Sequence, residues 1–106
     1  MLFRSMSVAA TLAEARKLIA QGWTQGEFKR VVDGVECFCL SGAMGQAAPD
    51  YKPRDLAFAA LFYALGDDDL YLSSSSNLTE WNDAPDRTQE DVLALIDRAI
   101  AKEATA

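Results

Sequence analysis

The 106-residue chain contains no histidine. That absence removes Ser-His-Asp and Cys-His catalysis, histidine metal ligation and the commonest general base. An enzyme built from this sequence would have only carboxylates, cysteine, tyrosine or lysine to use. Cysteine is scarce as well: Cys37 and Cys39 are the two present, separated by one residue. They sit too close together for an ordinary structural disulfide, which suits a reducing compartment, and they fall short of the four ligands that a structural zinc site needs. No apolar run reaches the roughly 18 residues of a membrane span, and the N-terminus lacks an apolar stretch followed by a small-residue cleavage site. A cytoplasmic location without membrane contact is expected. Neither a Walker-type phosphate loop nor a GxGxxG turn occurs, so no cofactor is expected.

What is present points to one packed domain. Half the residues are hydrophobic and 25% are charged, far from the composition of a disordered chain, and the length suits a single core. The opening "MLFRS" reads as the translation of a sequencing-adapter end, followed at once by Met6 as a second start. Residues 1–5 are therefore taken as non-native and 6–106 as one globular domain. The net charge of −6 is unevenly placed: residues 1–66 carry seven Lys/Arg and six Asp/Glu, whereas residues 67–106 carry three and ten. A segment at −7 repels phosphate, so direct nucleic-acid binding is not expected, and a partner with a basic surface is.

Hydrophobic spacing locates the elements. Val8, Leu12, Ala15, Leu18 and Ile19 recur at helical intervals over 7–21, with Thr11 and Glu14 as an internal capping pair and Gly22 as the stop. In "EFKRVVDGVECF", Asp33-Gly34 supplies the positive φ angles of a type I′ turn, which predicts a hairpin with strands near 27–32 and 35–38. "CLSGAMGQAA" reads as a short, closely packed helix. "DYKPRDLAFAALFYALG" reads as a long one, with Pro53 in its first turn and Gly66 at its end. "DDDLYLSSSSN" reads as a loop, with Leu70, Tyr71 and Leu72 extended and Ser73–Ser76 a linker. Val92, Leu93, Leu95, Ile96, Ala99 and Ile100 form the stripe of a last helix, and Thr88 and Asp91 stand at capping-box spacing. The expected fold is α+β and mostly helical: four helices around one core, with a single β-hairpin covering an edge.

The polar stretch "TEWNDAPDRTQEDV", residues 79–92, is the densest candidate for a site. Most of it is explained as the start of that last helix, with Glu90 and Asp91 favoured by the helix dipole and Asp83 and Asp86 forming Asx-type turns around Pro85. Cys39 is the best candidate nucleophile, because a helix N-terminus lowers a thiol pKa, but a small buried residue explains it better. Asp67, Asp68 and Asp69 invite a cation, yet the spacing lacks the twelve-residue loop of an EF-hand. Trp23 and Trp81 are either partner anchors or core aromatics.

"GWTQG" (22–26), the C-x-x-G-A element from Cys39 to Ala43, and above all "WNDAPDRTQEDVLALIDRAI" (81–100) together resemble a family of small bacterial and phage proteins of unknown function. The similarity spans Val8 to Ile100. The resemblance implies an actinobacterial-type or phage-borne accessory protein and carries no catalytic residues. Similar members have Gly where Asp86 stands and Trp where Phe38 stands. The expected function is a non-catalytic acidic protein that binds and inhibits a basic host protein involved in nucleic-acid handling or defence, through Asp67, Asp68, Asp69, Glu80, Asp83 and Asp86 by charge and Trp81 by burial. Two alternatives stand beside it. One is a small-molecule binder or small enzyme using Cys39 or the carboxylate cluster, which a pocket holding Cys39 beside a carboxylate or Tyr51 would support. The other is a self-associating module, which an apolar patch around Trp23 and Phe28 would support.

Overall fold

The computed structural model describes residues 7–66 and 75–105. Asp67, Asp68 and Asp69, the segment Leu70–Leu72, and Ser73 and Ser74 lie outside those residues, as does the start of the chain through Met6.

Helix α1 is Val8–Gln21. Its cap is Ser7, whose Oγ accepts from Ala10 N at 3.0 Å, four residues before the capping pair expected at Thr11. Gly22 closes the helix with its N–H on Leu18 O, and its φ of −175° is extended backbone open to any residue. What demands glycine there is space: a Cβ would lie 2.7 Å from Cys37 Sγ and 2.9 Å from Glu36 O.

Strands β1 (Lys29–Val32) and β2 (Val35–Phe38) form the predicted antiparallel hairpin, with Val32 opposite Val35 and Lys29 opposite Phe38. Asp33 and Gly34 take φ of 52° and 81°, as the type I′ turn requires. The hairpin does not cover an edge of the core. It projects: every residue from Lys29 to Glu36 is exposed, and only Phe38 at its base is buried. Phe38 N donates to Gly22 O at 2.9 Å and Phe38 O accepts from Thr24 N at 3.1 Å, so residues 22–24 cover the outer side of β2 at its base.

Cys39 caps helix α2 (Leu40–Ala47), and helix α3 (Tyr51–Leu65) ends at Gly66, whose φ is 117°. Helix α4, Ser75–Asn82, starts in sequence expected to be linker and loop, which ran to Asn77. Its serines are poor helix formers. Packing decides the matter, because Leu78 and Asn82, one turn apart, are both fully buried. Helix α5 is Gln89–Thr105, and its predicted capping box is present: Asp91 N donates to Thr88 Oγ1 at 3.1 Å and Thr88 N donates to Asp91 Oδ2 at 3.0 Å.

The fold is mostly helical α+β, with five helices among the described residues, one more than the sequence pattern yields. α1 lies at the centre, against α5, α2, α3 and β2. Leu12, Ile19, Leu40, Met44, Leu61, Leu78, Leu95 and Ile96 fill a continuous core between these elements. No described helix is long and apolar enough to cross a membrane.

Candidate functional site

Two of the segments singled out in the sequence, 22–26 and 81–88, meet in space, and Asn82 is where they join. Its side chain is fully buried. Asn82 Oδ1 accepts from Trp23 Nε1 at 2.8 Å and from the Leu40 backbone N–H at 3.1 Å; its Nδ2 donates to Thr24 O at 3.2 Å and to Asp83 Oδ1 at 2.9 Å. A carboxamide offers two acceptor lone pairs and two donors, and here all four are used. Leu40 is the first residue of α2, so one side chain ties the end of α4, the start of α2 and the segment after α1 together.

The neighbours extend this lock. Gln25 Nε2 donates to both Asn82 O and Ala84 O at 2.9 Å, and Gly26 N donates to Asp83 Oδ1 at 3.0 Å. Gly26 has φ of 83°, which places it in the left-handed region that favours glycine. Arg87 folds back so that Nε donates to Trp81 O at 2.8 Å while its guanidinium lies 4.0 Å from the indole centroid. Ser41 and Thr79 share a hydroxyl hydrogen bond at 2.8 Å between α2 and α4. The polar density of 79–92 is thus largely spent on internal bonds.

The residues expected to bind a partner divide accordingly. Asp83 is occupied by Gly26 and Asn82, not by an Asx turn on its own backbone, and Trp81 is half-buried beneath Arg87. Glu80 and Asp86 are exposed. Asp67, Asp68 and Asp69 fall outside the described residues. Of the other C-terminal acids, Asp91 caps α5 and Asp97 takes a bidentate bond from Arg16 across to α1, with Nε at 2.6 Å and Nη2 at 3.2 Å, while Glu90 is exposed. Among the described residues, no group of three or more His, Cys, Asp or Glu side chains converges as a metal site would.

Cys39 is fully buried, and its Sγ accepts from Gly42 N at 3.3 Å as the cap of α2. Burial pushes its pKa up, and this outweighs the lowering by the amides of Gly42 and Ser41. The thiol is therefore held protonated and away from solvent, the opposite of an activated nucleophile. In the folded protein, Ellman's reagent is expected to titrate the half-buried Cys37 promptly and Cys39 only after denaturation. Two thiols reacting at equal rates in the native state would contradict this assignment.

Sequence reasoning missed two open features. One is the hairpin surface, where Val31, Val32 and Val35 are 60%, 47% and 41% exposed, beside Phe28, already named from the sequence, at 65%. The signal was available: valines at successive positions on both faces of a two-stranded sheet cannot all be covered. Trp23, by contrast, is half-buried with its indole N–H bonded to Asn82, so the exposed apolar patch centres on Phe28 and the valines. The other feature is a groove of about 430 Å³ between α2 and α3, lined by Phe28, Ser41, Gly42, Gly45, Arg54 and Phe58.

No curated protein and no solved structure matches the chain significantly. The sequence does match a family of unknown function, DUF6197, over residues 4–102, a span holding the lock, the hairpin and the groove, and the chain belongs to that family.

Proposed function

We propose that this chain is a non-catalytic interaction protein that offers its projecting hairpin to a partner with a basic surface. The observation that carries the reading is the hairpin itself, which holds three exposed valines, with Phe28 exposed just before β1, on a sheet with an open outer edge. In a two-residue hairpin the turn-closing pair, here Val32 and Val35, is hydrogen-bonded, and the pattern alternates from there. Val31 opposite Glu36 and Lys29 opposite Phe38 are then the non-bonded pairs, so the N–H and C=O groups of Val31 and Lys29 face outward from β1. The bonds from Phe38 to Gly22 and Thr24 on the far side of β2 agree with that phase. Such an edge accepts an extended segment of another protein, with apolar side chains alongside for contact area.

Charge supports the class of partner. Residues 67–106 carry −7, and Glu80, Asp86 and Glu90 are exposed, a field that favours encounter with a basic surface. In its most specific form the partner is a basic nucleic-acid-handling or defence protein of a bacterial host, and the chain is a phage or mobile-element accessory that inhibits it in the cytoplasm.

The test compares three proteins in affinity capture from a bacterial lysate at low and high salt, followed by sedimentation analysis. These are the wild type, Val31→Pro, and the triple variant Glu80→Gln, Asp86→Gln, Glu90→Gln. Proline at position 31 removes an outward N–H without breaking a hairpin bond. The wild type is expected to retain a basic protein at low salt and release it at high salt. Val31→Pro is expected to lose that protein, and the triple variant to hold it several-fold more weakly. Equal retention by all three contradicts the reading. A wild-type dimer that Val31→Pro converts to monomer would assign the edge to a second copy of the chain instead.

A further inference from the structure

We propose that the groove between α2 and α3 is a binding site for a small planar aromatic anion. Its volume, about 430 Å³, falls within the range of about 300–1,000 Å³ typical of ligand pockets, and its lining has their usual character, mostly apolar with a few convergent polar groups. Phe58 rises from α3 and Phe28 from the segment before β1, giving two aromatic walls that a ring can contact by offset or edge-to-face stacking. Phe28 is 65% exposed, a large apolar surface that a ligand would remove from water. Arg54, one turn before Phe58 on α3, lines the same groove. Its Nη1 reaches Pro49 O at 3.4 Å, and a guanidinium with five donors can serve several acceptors at once. The Ser41 hydroxyl, bonded to Thr79, adds a further polar atom to the lining.

The two glycines of the floor separate fold from site. Gly42 is required by packing, since a Cβ there would overlap the Phe28 carbonyl oxygen and lie 2.8 Å from the carbonyl carbon. Gly45 has no such reason. A Cβ at position 45 would meet nothing within 4 Å, and its φ is not in the left-handed region. Glycine inside a helix costs stability relative to alanine, and what glycine leaves here is open space in the groove that the two rings line. That space lets a flat ring approach the α2 backbone. The lining residues all come from residues 28–58, outside the strongly acidic segment, which suits a negatively charged ligand.

The test uses anilinonaphthalene sulfonate, an aromatic anion, beside the uncharged phenylnaphthylamine. Each is titrated into the folded chain and read by fluorescence and by amide NMR shifts. The sulfonate is expected to saturate a single site, to shift the amides of 41–45 and 54–58, and to bind about tenfold more tightly than the neutral compound. Arg54→Gln is expected to erase that preference. Gly45→Leu, which fills the groove, is expected to weaken sulfonate binding about tenfold or more. Phe28→Ser removes one wall at an exposed position and is expected to weaken binding as well, so it decides the matter should the leucine variant fail to fold. The proposal is overturned if the shifts map elsewhere, if Phe28→Ser binds as the wild type does, or if charge makes no difference. The hairpin experiment involves neither Gly45 nor Arg54, so either proposal can fail without the other.

Discussion

Replacing Asn82 by alanine is expected to cost about 3–5 kcal/mol, a large part of the roughly 5–15 kcal/mol that holds a domain of this kind together. The size follows from what is stranded. The Leu40 N–H and the Thr24 carbonyl would each lose a partner at a buried position, and Trp23 Nε1–H at a half-buried one, and an unsatisfied buried polar group costs about 1–3 kcal/mol. At about 4–8 °C per kcal/mol for a small domain, the thermal midpoint should fall by about 12 °C or more. Asn82→Asp is expected to rescue little. It keeps the acceptor for Trp23 and Leu40 but removes the donor to Thr24 O and sets a second carboxylate against Asp83. A loss below about 1 kcal/mol for Asn82→Ala, the size of one ordinary hydrogen bond, would mean that the network is ornamental.

The second large effect comes from a pair of glycines three residues apart in α2. Gly42→Ala drives a methyl group into the Phe28 backbone, with 2.8 Å to its carbonyl carbon and 3.1 Å to its Cα. Backbone cannot rotate aside as a side chain can, so a net loss of about 2 kcal/mol or more is expected despite the better helix propensity of alanine. Gly45→Ala meets no atom within 4 Å and should stabilise the domain by about 0.5–1 kcal/mol. Chemical denaturation of the two variants beside wild type reads both signs in one experiment. Equal effects would contradict the packing described for the base of the hairpin.

Much of this fold was legible in the sequence because local rules and tertiary packing agree there. Asp33-Gly34 dictates its turn, Thr88 and Asp91 cap α5 as their spacing promises, and the stripes of α1 and α5 face each other in the core. Helix α4 was not legible. Ser75, Ser76 and Asn77 favour turns by propensity, and the contacts that make them helical lie in α2 and in the segment after α1, distant in sequence. The same distance hid Asn82. A buried asparagine is recognisable only when its partners Trp23, Thr24 and Leu40 are known, and they lie 42 to 59 residues away. The polar residues around Trp81 carry folding information, but their bonds run across the molecule more than into α5. Cys39 was legible as a buried joint, since a thiol with no histidine anywhere in the chain had nothing to activate it. The groove was illegible because Phe28, Gly45 and Phe58 converge only through the packing of α2 against α3 and against the segment before β1.

Residues 81–88 act first as a structural lock, joined through Asn82 to the segment after α1 and to the start of α2. Native-state amide hydrogen exchange at Leu40 tests this most directly, because its N–H is held by the Asn82 side chain at 3.1 Å. The expected result is that Leu40 exchanges only through global unfolding, with the same free energy as the buried amides of α1 and α5. If Leu40 instead exchanges through a low-energy local opening while α1 and α5 stay protected, the lock is a mobile segment and the central claim is wrong.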